Sequence, residues 1–181
     1  MASLEELKTT RLAKLELLKK AGMDPYPAIV PRDHCLADAR KGFADYEKSG
    51  KVVNLAGRIM AIRGAGGIMF VVLEDGKSTF QAVFKKDVLE PKLFELFTSA
   101  VDIGDLLSVT GTMFKTQKGE ESILVTGWTM AAKSLLPLPE KWHGITDPDE
   151  RLRKRYLDFI MEPESRNLFK QRALFWRTAR K

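Results

Sequence analysis

Between Val52 and Ala132 the hydrophobic pattern takes a strand period, and this constrains the fold more than any other feature of the chain. Val52–Arg63, Ile68–Asp75, Ser78–Phe84, Asp105–Lys115 and Ser122–Ala132 are β-rich runs bounded by Gly, Asp or Lys turns. Between the third and fourth runs, Val88–Ala100 places Leu89, Leu93, Leu96 and Phe97 at helical spacing. Five strands with a helix between the third and fourth is the order of an OB-fold, a small, partly open barrel suited to oligonucleotides. Gly57 and Gly111 fall inside runs, where a bent barrel strand or a bulge needs them. Another small five-stranded barrel or a sandwich fragment has the same pattern.

Helical segments flank this region. Ser3 and Glu6 form an S-x-x-E capping box, and Leu4, Leu7, Leu15 and Leu18 recur at helical spacing until Gly22, Pro25 and Pro27 stop the helix. Its polar side carries Lys8, Arg11, Lys14, Lys19 and Lys20, which read equally as a solvated face or a phosphate-facing one. A weaker helical stretch covers Cys35 to Ser49 and ends at Gly50. After Lys133, the run Leu136–Gly144 holds too much proline and glycine for a regular element and reads as a linker pinned by Trp142. Asp147 or Asp149 is placed to cap a helix over Glu150–Ile160, and another begins near Glu164 and is still in progress at Arg180-Lys181. That ending leaves two readings, a protein cut at this point or a missing continuation.

Composition narrows the function classes. The 181 residues, 44% hydrophobic and 30% charged, are enough for one ordinary core and a small appendage. No apolar run approaches the roughly 18–20 residues that span a bilayer. Cys35 stands alone, so an internal disulfide is excluded and a reducing cytoplasm is the expected setting. Two histidines, His34 and His143, and one cysteine argue against a dedicated metal site. The net charge of +6 is unevenly placed: residues 151–181 hold ten Lys/Arg against three Asp/Glu, and the other 150 residues hold twenty against twenty-one. The body is nearly neutral, so overall basicity does not identify its surface as a nucleic-acid interface.

Several stretches together resemble the N-terminal half of bacterial class II lysyl-tRNA synthetases. They are Gly22-Met23-Asp24-Pro25-Tyr26-Pro27, Ala56-Gly57-Arg58-Ile59-Met60 and Gly111-Thr112-Met113-Phe114-Lys115-Thr116, with Arg155-Tyr156-Leu157-Asp158 near the end. The narrowest is Pro137-Leu138-Pro139-Glu140-Lys141-Trp142-His143-Gly144, because aspartyl and asparaginyl enzymes carry similar barrels but not this linker. The resemblance implies four segments: a helical extension (1–50), an OB-fold anticodon-binding domain (51–133), a linker (134–163) and the start of a catalytic domain (164–181). It also implies that the motifs holding ATP lie outside this chain, which therefore has no catalytic residues and no ligase activity alone. ATP and magnesium are cofactors of the whole enzyme and none belongs to this piece; the expected partners are lysine tRNA, through its anticodon loop, and a second subunit in the full-length homodimer.

Unpaired anticodon bases are read by stacking on rings and by hydrogen bonds to their edges. The resemblance assigns Phe70 as the stacking ring and Arg63, Gln81 and Glu120 as polar readers. Arg58, Lys115 and Lys118 are candidate contacts to the tRNA backbone. Strand alternation puts Phe80, Ala82 and Phe84 on one face of their run and Thr79, Gln81 and Val83 on the other, so a core at the phenylalanines points Gln81 outward. For Phe70 alternation does not decide. Ile68, Phe70 and Val72 oppose Met69, Val71 and Leu73, and both faces are apolar. Gly64–Gly67 lies between two strands with no following helix or Lys-Ser/Thr pair, which makes it a hairpin turn rather than a nucleotide loop. Two departures from the resemblance stand out: Gly67 near a usual lysine, and Leu136 at a usual arginine.

Three readings follow: anticodon recognition, a barrel that binds single strands without specificity, or an inactive structural piece. The third draws on the basic run Arg151–Tyr156 and on Phe169, Leu174, Phe175 and Trp176, which predict self-association if left uncovered.

Overall fold

The computed structural model describes residues 3–139, 145 and 147–180. It divides into two compact units, Met1–Pro137 and Leu138–Lys181. In the first unit α1 (Leu4–Lys20), α2 (Leu36–Lys41) and α3 (Phe43–Ser49) precede β1 (Val52–Ala65), β2 (Ile68–Glu74) and β3 (Thr79–Lys85). Then come α4 (Pro91–Ala100), β4 (Leu106–Lys115) and β5 (Glu121–Ala132). The second unit holds α5 (Pro148–Arg153), α6 (Arg155–Met161) and α7 (Pro163–Ala179).

The five strands, with α4 between the third and fourth as the sequence predicts, form a barrel that is closed rather than partly open, in the order β1-β2-β3-β5-β4. Neighbours pair antiparallel except β3 and β5, whose parallel ladder joins Gln81 to Ser122 and Val83 to Leu124. Closure needs sharp bends, and the register slips between Ile59 and Ala61 in β1 and between Thr110 and Gly111 in β4. At Gly111 an added Cβ would collide with the Leu124 carbonyl oxygen, so the paired strands leave no space for a side chain.

The barrel interior takes alternate residues: Val71 and Leu73 of β2, Phe80, Ala82 and Phe84 of β3, and Leu107 and Val109 of β4 are all fully buried. Helix α4 buries Phe94, Phe97 and Ala100 against them. Phe97 stacks on Phe84 with centroids 4.0 Å apart and meets Trp128 edge-on at 5.7 Å. Trp128 satisfies its indole by donating to the Leu93 carbonyl at 3.1 Å. Each of these rings contributes about 1.5–3 kcal/mol through burial.

At one end of the barrel, charge replaces apolar packing. Lys133 is 3% exposed, and its ammonium donates to the Ala100 carbonyl at 2.8 Å and to the Asp102 and Asp105 carboxylates at 2.7 Å each. Helix α1 docks on this cluster. Lys14 donates to Asp102 at 2.5 Å, and Arg11 donates to the carbonyls of Ser134, Leu136 and Ile103 at 3.0–3.1 Å. Burial pushes the Asp102 carboxyl up, but hydrogen bonds and charge from Lys133 and Lys14 outweigh it and hold the group below the usual carboxylate range. Two of the five basic residues on α1 therefore serve the fold, not phosphate. The helix starts in the expected capping box, with Ser3 N–H donating to Glu6 at 2.7 Å and Glu6 N–H donating to Ser3 Oγ at 3.2 Å. It ends in a Schellman turn: Met23 N–H donates to the Leu18 carbonyl, and Gly22 takes a φ of +78°.

The single helix predicted over Cys35–Ser49 is two, because Gly42 ends α2 and starts α3 with Tyr46 packed where a Cβ would stand. The helix predicted over Glu150–Ile160 also breaks, at Lys154, with Asp147 as its N-cap. In the second unit Asp158 is 1% exposed and accepts from Arg151 and Arg155 at 2.8–2.9 Å, so the basic run there packs on an acid. Helix α7 buries no residue and exposes Leu168, Leu174, Phe175 and Trp176. The linker residues Glu140–Gly144, with Trp142 and His143, lie outside the described residues. Among those described, no helix is long and apolar enough to cross a membrane, and no cluster of His, Cys, Asp and Glu is suited to a metal ion.

Candidate nucleic-acid interface

The outer faces of β2 and β3, with the end of β4 and the turn beyond it, enclose a groove of about 870 Å³. The barrel register builds it. Arg63 pairs with Phe70, and Phe70 with Val83, so all three project from the same side. The next row runs Val72, Gln81, Ser122 and Phe114 across β2, β3, β5 and β4. With Val71 and Leu73 fully buried, the face carrying Ile68, Phe70 and Val72 is the outer one, and each of these three is only partly covered. The alternation that the sequence left open is thereby resolved. Val83 is 1% exposed although it faces outward, and it lies in the floor of the groove.

Gln81 is oriented by its neighbour: Nε2 donates to Ser122 Oγ at 2.9 Å, and Ser122 in turn donates to the Glu120 carbonyl at 3.2 Å. The Gln81 amide oxygen is then left without a protein partner among the described residues. Glu120 is placed by a closed turn. Thr116 N–H donates to the Glu120 carbonyl at 3.0 Å, Glu120 N–H donates to Thr116 Oγ1 at 3.1 Å, and Gly119 supplies the left-handed φ of +79°. The Glu120 carboxylate and the Arg63 guanidinium are exposed and make no hydrogen bond or ion pair among the described residues.

Charge is concentrated here. Arg40, Arg63, Lys85, Lys115 and Lys118 line the groove against a single acid, Glu120. A nearly neutral body thus carries a strongly cationic concavity, which overall composition concealed. Lys115 reaches over the Phe43 ring at 5.7 Å, and Lys85 over Phe114 at 5.6 Å.

Three of these residues escaped the sequence reading. Lys85 was legible as the next outward position after Gln81 and Val83, and Phe114 as the outward neighbour of buried Met113. Arg40 had no sequence signal. It reaches the groove because α2 packs on the barrel, where its guanidinium donates to the Thr79 carbonyl at 2.8 Å and lies 5.6 Å from the Phe80 ring centre.

One sequence candidate is not brought to the groove. Arg58 donates to the Gly104 carbonyl at 2.7 Å, and its burial lowers the guanidinium's pKa against the raising influence of Asp105 and Glu74. It braces the barrel, is only partly exposed and does not line the groove, so the structure does not bring it together with Lys115 and Lys118.

A closed five-stranded barrel with rings and cations on its β2–β3 face is the architecture of an oligonucleotide-binding domain. The family of OB-fold nucleic-acid-binding domains described as tRNA anticodon-binding matches residues 53–131, and that stretch belongs to it. Beyond the barrel, the chain is homologous to the N-terminal region of lysine–tRNA ligases. It is 42% identical over 179 residues to the lysine–tRNA ligase of Roseiflexus castenholzii, covering 98% of this chain and 37% of that protein. Against the lysine–tRNA ligase of Syntrophomonas wolfei it is 42% identical over 171 residues, 94% of this chain and 34% of the relative. A third relative is the lysylphosphatidylglycerol biosynthesis bifunctional protein LysX of Mycobacterium avium, 41% identical over 177 residues, 98% of this chain and 15% of that protein. The chain thus spans about a third of the length of the ligases it matches.

Proposed function

We propose that the groove holds the unpaired anticodon bases of lysine tRNA. Phe70 stacks the central base, while Arg63, Gln81 and Glu120 read its edge. A uracil presents one N–H between two carbonyl oxygens. The Gln81 amide oxygen and the Glu120 carboxylate are acceptors suited to that N–H, and the Arg63 guanidinium donates to a carbonyl. Glu120 also repels phosphate, which favours a base over the backbone at that point, while Lys115 and Lys118 attract the backbone. The observation that carries this reading is the convergence, in one cationic groove, of a half-exposed ring, an oriented amide, and a carboxylate and a guanidinium without partners among the described residues.

In the same reading, the whole protein activates lysine with ATP and magnesium, attaches it to the tRNA, works in the cytoplasm and pairs as a homodimer. The chain described here contributes recognition. Titration of a labelled lysine-tRNA anticodon stem-loop with the chain tests it. Salt-sensitive binding that weakens on replacing the central uracil with cytosine supports the proposal. Equal affinity for both loops and for unrelated oligonucleotides would instead identify a non-specific single-strand binder.

A further inference from the structure

We infer that the groove contains a second base-stacking subsite on Phe114, gated by Lys85, for a nucleotide flanking the one held by Phe70. The inference rests on the anticodon reading and extends it to the opposite wall. Phe114 is half-buried at the end of β4, on the outward row that continues through Ser122 to Gln81. Phe70 lies on β2, and β3 and β5 separate the two phenylalanine strands. With two strands between them and a further offset of one row along the strands, the two rings are separated along the barrel wall by well over the thickness of a base. Bases stacked on one another rise only about 3.4 Å. One base cannot use both rings, whereas a single strand with its bases splayed apart can.

The Phe114 ring is covered in the free protein by a group that is easily displaced. Lys85 Nζ lies 5.6 Å from its centroid. A cation over an exposed ring contributes about 2- to 5-fold to an equilibrium constant. A base stacked on a ring contributes about 5- to 150-fold. The base therefore wins the ring face, and the released ammonium sits beside an incoming strand whose phosphate attracts it. One lysine thus shields the ring when RNA is absent and holds the backbone when RNA is bound. Every base has a π-face, so this subsite adds affinity with little base preference.

Anisotropy titrations of the full chain test this with the lysine-tRNA anticodon stem-loop, intact or with an abasic nucleotide on either side of the central uracil. Phe114→Leu, with circular dichroism matching the parent, is expected to weaken binding of the intact loop by about 5- to 10-fold. On one of the two abasic loops it should have no effect, and Phe114→Tyr should restore binding. Lys85→Met should reduce the slope of log affinity against log salt by about 0.7. Phe114→Leu binding as tightly as the parent, or losing equally on all three loops, would overturn the subsite, as would an unchanged salt slope for Lys85→Met. In those outcomes Phe70→Leu still weakens the intact loop, so the anticodon reading survives. If neither ring matters to the intact loop, both proposals fall.

Discussion

The two cationic regions of the first unit use the same residue types for opposite ends. Where α1 meets the barrel, Arg11, Lys14 and Lys133 are all engaged by carbonyls and carboxylates of the protein itself. In the groove, Arg63 and Lys118 have no hydrogen bond or ion pair among the described residues, and Lys85 and Lys115 rest on rings. Partners and burial therefore decide what a basic residue does. Charges matched within the fold stabilise it, and charges left unmatched on a concave face remain available to a polyanion.

The contrast can be broken most forcefully at Lys133. Replacing it with Met leaves the fully buried Asp105 without its cation, and the expected loss is about 3–5 kcal/mol in urea denaturation. The anticodon affinity of the folded fraction should not change. The same cluster makes stability depend on pH. Because the folded pKa of Asp102 is held below its unfolded value of about 3.9, its contribution is present above that pH and disappears as the pH falls through the folded value. Asp102→Asn should flatten the acid limb of stability measured below pH ~4.

Changes in the groove should spare the fold and cost binding. Phe70→Leu is expected to weaken the anticodon stem-loop by about 1–3 kcal/mol, with its thermal midpoint close to that of the parent. Glu120→Ala should narrow the preference for uracil over cytosine by about 1 kcal/mol in parallel titrations. The smallest effect belongs to Lys118→Ala, which should reduce the salt slope by about 0.7 for every base at the central position.

The barrel was legible because its strands alternate cleanly and are punctuated by Gly, Asp and Lys, and because Phe80 and Phe84 make one face of β3 unmistakably interior. The two helix breaks were hidden: Gly42 and Lys154 interrupt otherwise continuous helical spacing, and at Gly42 the nearby Tyr46 ring takes the space a Cβ would need. The groove was harder to see for a physical reason. A stacking surface must be apolar, so Ile68, Phe70 and Val72 look in sequence like a second core face. The buried lysine, Lys133, closes a run that reads as an exposed strand end, and its two carboxylate partners come from the loop before β4. Arg58 and Arg11 looked like solvent-facing cations until the carbonyls they satisfy were in place.

The proposed RNA face is the groove and not the α1 end. Chemical-shift mapping of the full chain with and without the lysine-tRNA anticodon stem-loop tests it most directly. Shifts are expected to concentrate at 68–72, 79–85 and 114–120, with the amides and side chains of Lys8, Lys19 and Lys20 on α1 unmoved. Shifts centred on α1, with Phe70 and Gln81 silent, would contradict it.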